Sequence, residues 1–155
     1  MSETKNRLYI AYGSNLNLAQ MARRCPTAEL VGAALLKNRR LLFRGGRTGA
    51  VANLECFQGG SVPVLIWRLQ PYDEAALDRY EGWPHLYYKE KLQITLKDAR
   101  VSAMIYIMNA GLPCGMPSPY YFNTIREGYE TAGFDTDILR TAVRDSIEVM
   151  ENENI

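Results

Sequence analysis

The chain has 155 residues, with 18 Lys plus Arg against 17 Asp plus Glu and a formal net charge of +1. That length suits one domain large enough to bury a core of its own without disulfides or metals. The balanced charge provides no basic field for nucleic acid or an anionic membrane, so neither is expected as a partner.

The first predicted element is a strand over 7–12, carrying the apolar run Leu8-Tyr9-Ile10-Ala11-Tyr12. A short helix over 18–24 follows and is stopped by Pro26. Three strand-like runs come next, over 28–36, 40–44 and 50–55, punctuated by Gly45-Gly46 and Gly59-Gly60. The basic stretch Lys37-Asn38-Arg39-Arg40, with Arg44 and Arg47, alternates with Leu41, Leu42 and Phe43. It reads as the solvated side of a strand rather than a binding patch. Residues 61–69 form another strand, with Pro63 near an edge or a bulge.

Residues 71–81 read as a helix. Pro71 suits its first turn, Asp73 and Glu74 its positive end, and Gly82 its stop. Two strands rich in β-branched and aromatic residues cover 86–96 and 101–108. A Gly- and Pro-rich loop over 109–117 leads to Ser118-Pro119, a cap-then-Pro helix start. That helix runs to about Ala132 before Gly133. A last helix over 137–150 places Leu139, Val143, Ile147 and Met150 on one face.

Strands dominate the first two thirds and helices the end, so the expected fold is a mixed α+β domain with a strongly curled sheet, not a doubly wound parallel one. One domain over 7–150 is expected, with loose termini at 1–6 and 151–155. Cys25, Cys56 and Cys114 are odd in number, far apart and without a C-x-x-C pair. They argue against a disulfide framework or a zinc site, and the lone His85 cannot build a histidine-rich metal centre. Nothing in the spacing ties it to a cysteine nucleophile. The polar start Met1-Ser2-Glu3-Thr4-Lys5 lacks a signal peptide's apolar stretch, and no apolar run nears the ~20 residues that span a bilayer. A reducing cytoplasm is the expected location.

Tyr12-Gly13-Ser14-Asn15 joins the first strand to the first helix. Gly13 permits a turn that residues with a Cβ resist. The backbone N–H groups left free there form a cradle for a carboxylate or another anion. The same residues also read as an ordinary capped turn. Glu81 closes the helix over 71–81, beside Leu77 on the margin of the apolar face and against the negative end of the helix dipole. A half-buried carboxyl there is harder to ionise than a free one, which is the tuning wanted in a group that takes and gives a proton near neutral pH. Surface pairing with Arg79 or Lys89 is the competing reading, and Glu74 lies at a similar angle on the helix. Tyr121 sits in the first turn of the helix after Ser118. Its phenol could donate to a ligand or simply pack.

Taken together, Tyr9-Ile10-Ala11-Tyr12-Gly13-Ser14-Asn15-Leu16, Leu77-Asp78-Arg79-Tyr80-Glu81-Gly82 and Pro117-Ser118-Pro119-Tyr120-Tyr121 resemble the γ-glutamylcyclotransferase-like family, which includes γ-glutamylamine cyclotransferases and AIG2-like plant proteins. The resemblance runs from residue 7 to about residue 130. Asn15 departs from the glutathione-specific branch. The stretches 44–61 and 83–86 match no family pattern and are where substrate choice is expected to lie.

The resemblance implies a small barrel-like sheet flanked by helices, with a cavity roofed by the Tyr-Gly-Ser-Asn loop. It implies that Tyr9, Ile10, Ala11, Tyr12, Gly13 and Ser14 bind the α-amino acid end of a γ-glutamyl group. By the same carry-over, Glu81 is the general acid/base and Tyr121 contacts substrate. The implied reaction needs no metal or cofactor: the substrate's α-amine attacks its own γ-carbonyl and releases 5-oxoproline and an amine. An enzyme of this fold acting on a carrier-bound γ-glutamyl group, and a non-catalytic binding module, stay open. The expected partner is a small γ-glutamyl molecule, and the expected assembly a monomer or homodimer.

Overall fold

The computed structural model describes residues 7–153. β1 (Arg7–Ala11) is short and leads through a single 3-10 turn, Ser14–Leu16, into α1 (Leu18–Arg24). β2 (Glu29–Arg44) and β3 (Val51–Leu69) form a long hairpin, and α2 (Pro71–Glu81) follows. β4 (Tyr87–Leu96) and β5 (Ala99–Met108) form a second hairpin before α3 (Pro119–Ala132) and α4 (Asp137–Glu153).

The five strands make one mixed sheet in the order β2-β3-β1-β5-β4. β1 lies at its centre, antiparallel to β3 with Tyr9 opposite Trp67, and parallel to β5 with Tyr9 opposite Met104. The sheet curls until Gly32 of β2 comes close to Leu96 and Lys97 at the far edge. The curl expected from the sequence is present, but the two edges are not hydrogen-bonded among the described residues and no closed barrel forms.

Several expected boundaries shift. The runs 28–36 and 40–44 are one strand, and 50–55 and 61–69 are another. Gly59-Gly60 does not separate strands. It belongs to an irregularity in which Lys37 pairs with Ser61 while Arg39 pairs with Cys56. Asn38 there has φ 60°, and its side chain accepts from the Gly59 N–H at 3.1 Å. A Cβ on Gly60 would collide with the Arg39 carbonyl, so only glycine fits this bulge. Pro63 pairs with Leu35 beyond the stretch of β3 that β1 covers, where its missing N–H costs no ladder bond to β1.

Leu41, Leu42 and Phe43 are all buried rather than alternating with exposed positions. α4 covers this part of β2, and the Phe43 N–H donates to the buried Ser146 hydroxyl at 2.8 Å. The buried face of α4 is therefore Leu139, Ala142 and Ser146, with Val143, Ile147 and Met150 half-buried beside it. The helix also runs further than expected. Glu151, Asn152 and Glu153, read as part of a loose tail, are helical, and Glu153 reaches Arg44 at 3.3 Å. Residues 1–6 and 154–155, the rest of the expected loose termini, lie outside the described residues.

α3 is placed by close approach. Gly128 sits directly on the 3-10 turn, where a Cβ would stand 2.8 Å from the Leu16 carbonyl carbon and 2.9 Å from the Asn17 nitrogen. The Ser118 side chain caps the helix by accepting from the Tyr121 N–H at 3.1 Å. These two features fix Tyr121 against the loop that follows β1. No helix among the described residues is long and apolar enough to cross a membrane.

Candidate active site

α2 presents Glu81 because its two ends are firmly set. At the start, the Asp73 carboxylate accepts from the Gln70 N–H at 2.9 Å and from the Thr27 hydroxyl at 2.7 Å. At the end, Gly82 takes a left-handed conformation with φ 69°, and the Trp83 N–H closes back on the Asp78 carbonyl at 3.0 Å. Leu77, one turn before Glu81, is fully buried. This anchors the last turn and leaves Glu81 lining a cavity of about 250 Å³.

The cavity wall also includes Tyr9, Tyr12, Gly13, Ser14, Ala52, Tyr87, Tyr106 and Tyr121. The fold thus brings together six of the expected site residues with Glu81 and Tyr121 among them: Tyr9, Tyr12, Gly13 and Ser14 complete the set. Ile10 and Ala11 do not join them. Both are fully buried in β1, paired with Ile66 and Leu65 of β3. The carry-over had given them a binding role because they sit inside the motif, but their side chains belong to the core.

Glu81 is the one carboxyl in the wall, and among the described residues it has no hydrogen-bond or ion-pair partner. Lys89, one of the two surface partners in the competing reading, goes instead to Glu74 at 2.7 Å and Asp78 at 2.9 Å, and Arg79 makes no ion pair with Glu81 among the described residues. Glu74 is held a second time by Arg7 at 2.9 Å. Burial therefore pushes the Glu81 carboxyl up from 4.5 to about 7, with Arg24 pulling the other way. A group with that midpoint can both accept and return a proton in neutral solution.

The tyrosines differ in what their hydroxyls have left to offer. Tyr12 donates to the Tyr106 carbonyl at 2.7 Å, and Tyr87 donates to the Ala52 carbonyl at 2.7 Å. Tyr106 donates to Asp78 at 2.6 Å. Those three protons are committed. Tyr9 instead accepts from the Asn15 amide at 2.9 Å, and Tyr121 accepts from the Ala52 N–H at 3.0 Å. Each keeps its own proton free to donate to a ligand. Burial raises both phenols above their usual range, so both stay protonated donors at neutral pH. Ser14 and Tyr80 share one hydrogen bond of 2.7 Å, which leaves one proton between them for a ligand.

Gly13 packs closely, since a Cβ there would stand a tight 3.2 Å from the Ala52 side chain and in ordinary contact, 3.4 Å, with the Tyr121 hydroxyl. Its carbonyl accepts from the Leu16 N–H at 3.0 Å, and the Ser14 carbonyl accepts from the Asn17 N–H at 3.0 Å, which closes the turn.

Sequence reasoning did not reach Arg24, Tyr80, Tyr87 or Tyr106 as parts of the site. They come from four different elements, and no spacing in the chain links them. Among the described residues no group of three or more His, Cys, Asp or Glu side chains gathers as a metal site. Cys25 is buried, and burial pushes its thiol up to about 11, the opposite of an activated nucleophile.

The family model described as gamma-glutamyl cyclotransferase, AIG2-like matches residues 9–122. A curated Mus musculus protein named gamma-glutamylcyclotransferase is 26% identical over 140 residues, covering 84% of this chain and 74% of its own. A solved gamma-glutamyl cyclotransferase superposes with a TM-score of 0.79 at 22% identity, over 89% of this chain and 86% of that one. A solved Homo sapiens protein, described as uncharacterized, gives a TM-score of 0.79 at 24% identity with the same coverage. At such identities these two structures speak for the fold alone. The match over 9–122 goes further, because it spans the loop after β1, the end of α2 and the start of α3: the chain belongs to the gamma-glutamyl cyclotransferase, AIG2-like family.

Proposed function

We propose that this protein is a cofactor-independent γ-glutamylcyclotransferase whose substrate is a small γ-glutamyl amino acid or γ-glutamyl amine. The observation that carries the reading is Glu81, an unpaired carboxyl in the wall of an aromatic cavity with its midpoint raised to about 7.

In this reading the substrate's α-carboxylate lies against the N–H groups of Gly13 and Ser14. Free phenol protons of Tyr9 and Tyr121 hold the rest of the γ-glutamyl group. Folding it so that amine and carbonyl meet supplies roughly 7–11 kcal/mol of barrier reduction in favourable intramolecular cases. The Glu81 carboxylate takes a proton from the α-ammonium. The freed nitrogen attacks the γ-carbonyl carbon, a C–N bond forms, and charge gathers on the γ-oxygen. Glu81 then gives its proton to the leaving nitrogen and the old C–N bond breaks. The new ring nitrogen still carries a second proton, which the Glu81 carboxylate takes and hands to the departing amine, so 5-oxoproline and an ammonium leave. Glu81 ends as it began, ionised, so one carboxyl suffices for all the transfers.

The test is 5-oxoproline release from a panel of γ-glutamyl amino acids, γ-glutamyl-ε-lysine and glutathione. Wild type is expected to turn over at least one member, with its leaving group thereby identified, and Glu81→Gln to turn it over about 10²–10⁴-fold more slowly. A Glu81→Gln variant as active as wild type would remove Glu81 from the mechanism.

A further inference from the structure

We propose that Arg24 is a positioning residue of this site, holding Tyr80 and Asn15 in the cavity wall and supplying the positive charge that Glu81 works beside. The proposal rests on the acid/base reading of Glu81 given above.

Arg24 is the last residue of α1, and three contacts fix it. Its guanidinium lies 3.5 Å from the centre of the Tyr80 ring, a stacked cation–π arrangement. One Nη donates to the Asn15 side-chain oxygen, and the other donates to Gln20 at 2.7 Å. Two of these contacts continue into the cavity. The Asn15 amide passes on to the Tyr9 hydroxyl at 2.9 Å, so Arg24 decides which way Asn15 points and hence that Tyr9 is an acceptor from it. Tyr80 meets Ser14 at 2.7 Å and is the residue directly before Glu81. One side chain outside the wall thus orients two phenols and a hydroxyl within it.

The charge follows from what else faces Glu81. From β1 and its loop come Tyr9 and Tyr12, from β4 Tyr87, from β5 Tyr106, from α3 Tyr121 and from α2 itself Tyr80. All are phenols, and burial keeps Tyr9, Tyr12, Tyr87, Tyr106 and Tyr121 in the neutral form. Asp78 and Glu74 on the same helix are already paired with Lys89. Arg24 is the cation left to favour the ionised carboxyl, and it acts against the burial that disfavours it. A Lys in its place would keep the charge, but not the flat face on Tyr80 or the fork to Asn15 and Gln20.

The experiment is a carbon-detected NMR titration of Glu81 in the substrate-free protein, in wild type, Arg24→Gln and Arg24→Lys, paired with the pH profile of 5-oxoproline release. Arg24→Gln is expected to move the Glu81 midpoint above that of wild type and to carry the acid limb of kcat up with it. Arg24→Lys is expected to keep the midpoint near wild type while kcat falls about ten- to a hundredfold from misplacement. A midpoint unmoved in Arg24→Gln overturns the proposal, as does an Arg24→Lys midpoint that rises as far as that of Arg24→Gln. The titration needs no turnover. A wild type without activity would therefore count against the cyclotransferase reading and leave the Arg24 result standing on its own. If Arg24→Gln does not fold, Arg24→Lys decides alone: a kcat equal to that of wild type overturns the positioning role.

Discussion

Two cavities open on the same stretch of sheet. One is lined by Ala52, Tyr87 and Tyr106, the other by their chain neighbours Asn53, Tyr88 and Ile107, because successive strand residues point to opposite faces. The second is the larger, about 600 Å³ against about 250 Å³. It also holds more charge. Three of its charges are tied together, however: Arg44 pairs with Glu55 and with Glu153, and donates to the Leu112 carbonyl at 2.9 Å, while Arg39 and Glu90 add one charge of each sign to the wall. The Asn53 amide is satisfied by the Met108 N–H and by Glu55. In the smaller cavity one carboxyl is left unpaired among neutral phenols. Size does not distinguish a reactive site here; a single carboxyl held among phenols, with no other charge in the wall, does.

Four perturbations bear on that contrast. The largest effect is expected from Glu81→Gln, which keeps the shape of the side chain and removes its proton transfer. Turnover should fall about 10²–10⁴-fold, read as 5-oxoproline release. Tyr121→Phe comes next. It strips the Ala52 N–H of its acceptor and the substrate of a donor, and the stranded N–H should cost about 1–3 kcal/mol in urea unfolding. A fall in kcat and kcat/KM together would place the phenol's bond in the transition state, while a rise in KM alone would make it a ground-state contact.

Arg44→Met probes the other cavity. It leaves Glu55 partly buried without its main partner and should destabilise the fold by roughly 1–2 kcal/mol. Turnover should stay within about twofold, and adding Glu55→Gln should restore most of the stability. A large loss of turnover would erase the distinction between the two cavities.

The smallest effect is in stability against pH. Glu81 has a folded midpoint of about 7, above its usual 4.5. Its contribution is fully present below 4.5 and is lost as pH rises through 7, because ionising the carboxyl in the cavity costs more than ionising it in the unfolded chain. Glu81→Gln should therefore gain stability relative to wild type between pH 5 and pH 8. The gain should be on the order of 1 kcal/mol, reduced by the water that reaches a half-buried carboxyl. Thermal unfolding at the two pH values measures it, and an equal difference at both would mean that Glu81 ionises freely.

The elements with local signals were legible in the sequence. Pro71 and Gly82 bracket α2, and Ser118 with Pro119 opens α3, because caps and stops depend on residues within a turn of one another. Gly59-Gly60 misled because a glycine pair marks a strand end and a bulge alike. Only the opposing Arg39, twenty residues earlier, decides between them. In the site, Glu81 stood out from its awkward place at a helix end. Its lack of a partner did not, since that depended on Lys89 turning toward Glu74 and Asp78. Ile10 and Ala11 shared a motif with true wall residues and still faced the core. Arg24 gave no sign at all, because its reach to Tyr80 is set by how α1 docks on α2.

The central position of β1 has a bearing on how the molecule assembles. The two hairpins, β2–β3 and β4–β5, pair segments nearer in the chain than β1 is to β5. β1 must then enter between them, meeting β3 at Leu65–Leu69 and β5 at Met104, nearly a hundred residues away. Contacts of that separation pay loop closure before they return any stability and so come late in folding. The Gly-Ser-Asn loop hangs from the end of β1, and it meets Glu81 and Tyr121 only after that insertion. A chain with both hairpins formed and β1 still outside would have most of its sheet and no cavity, so the arrival of β1 is the step that turns a folded scaffold into a site.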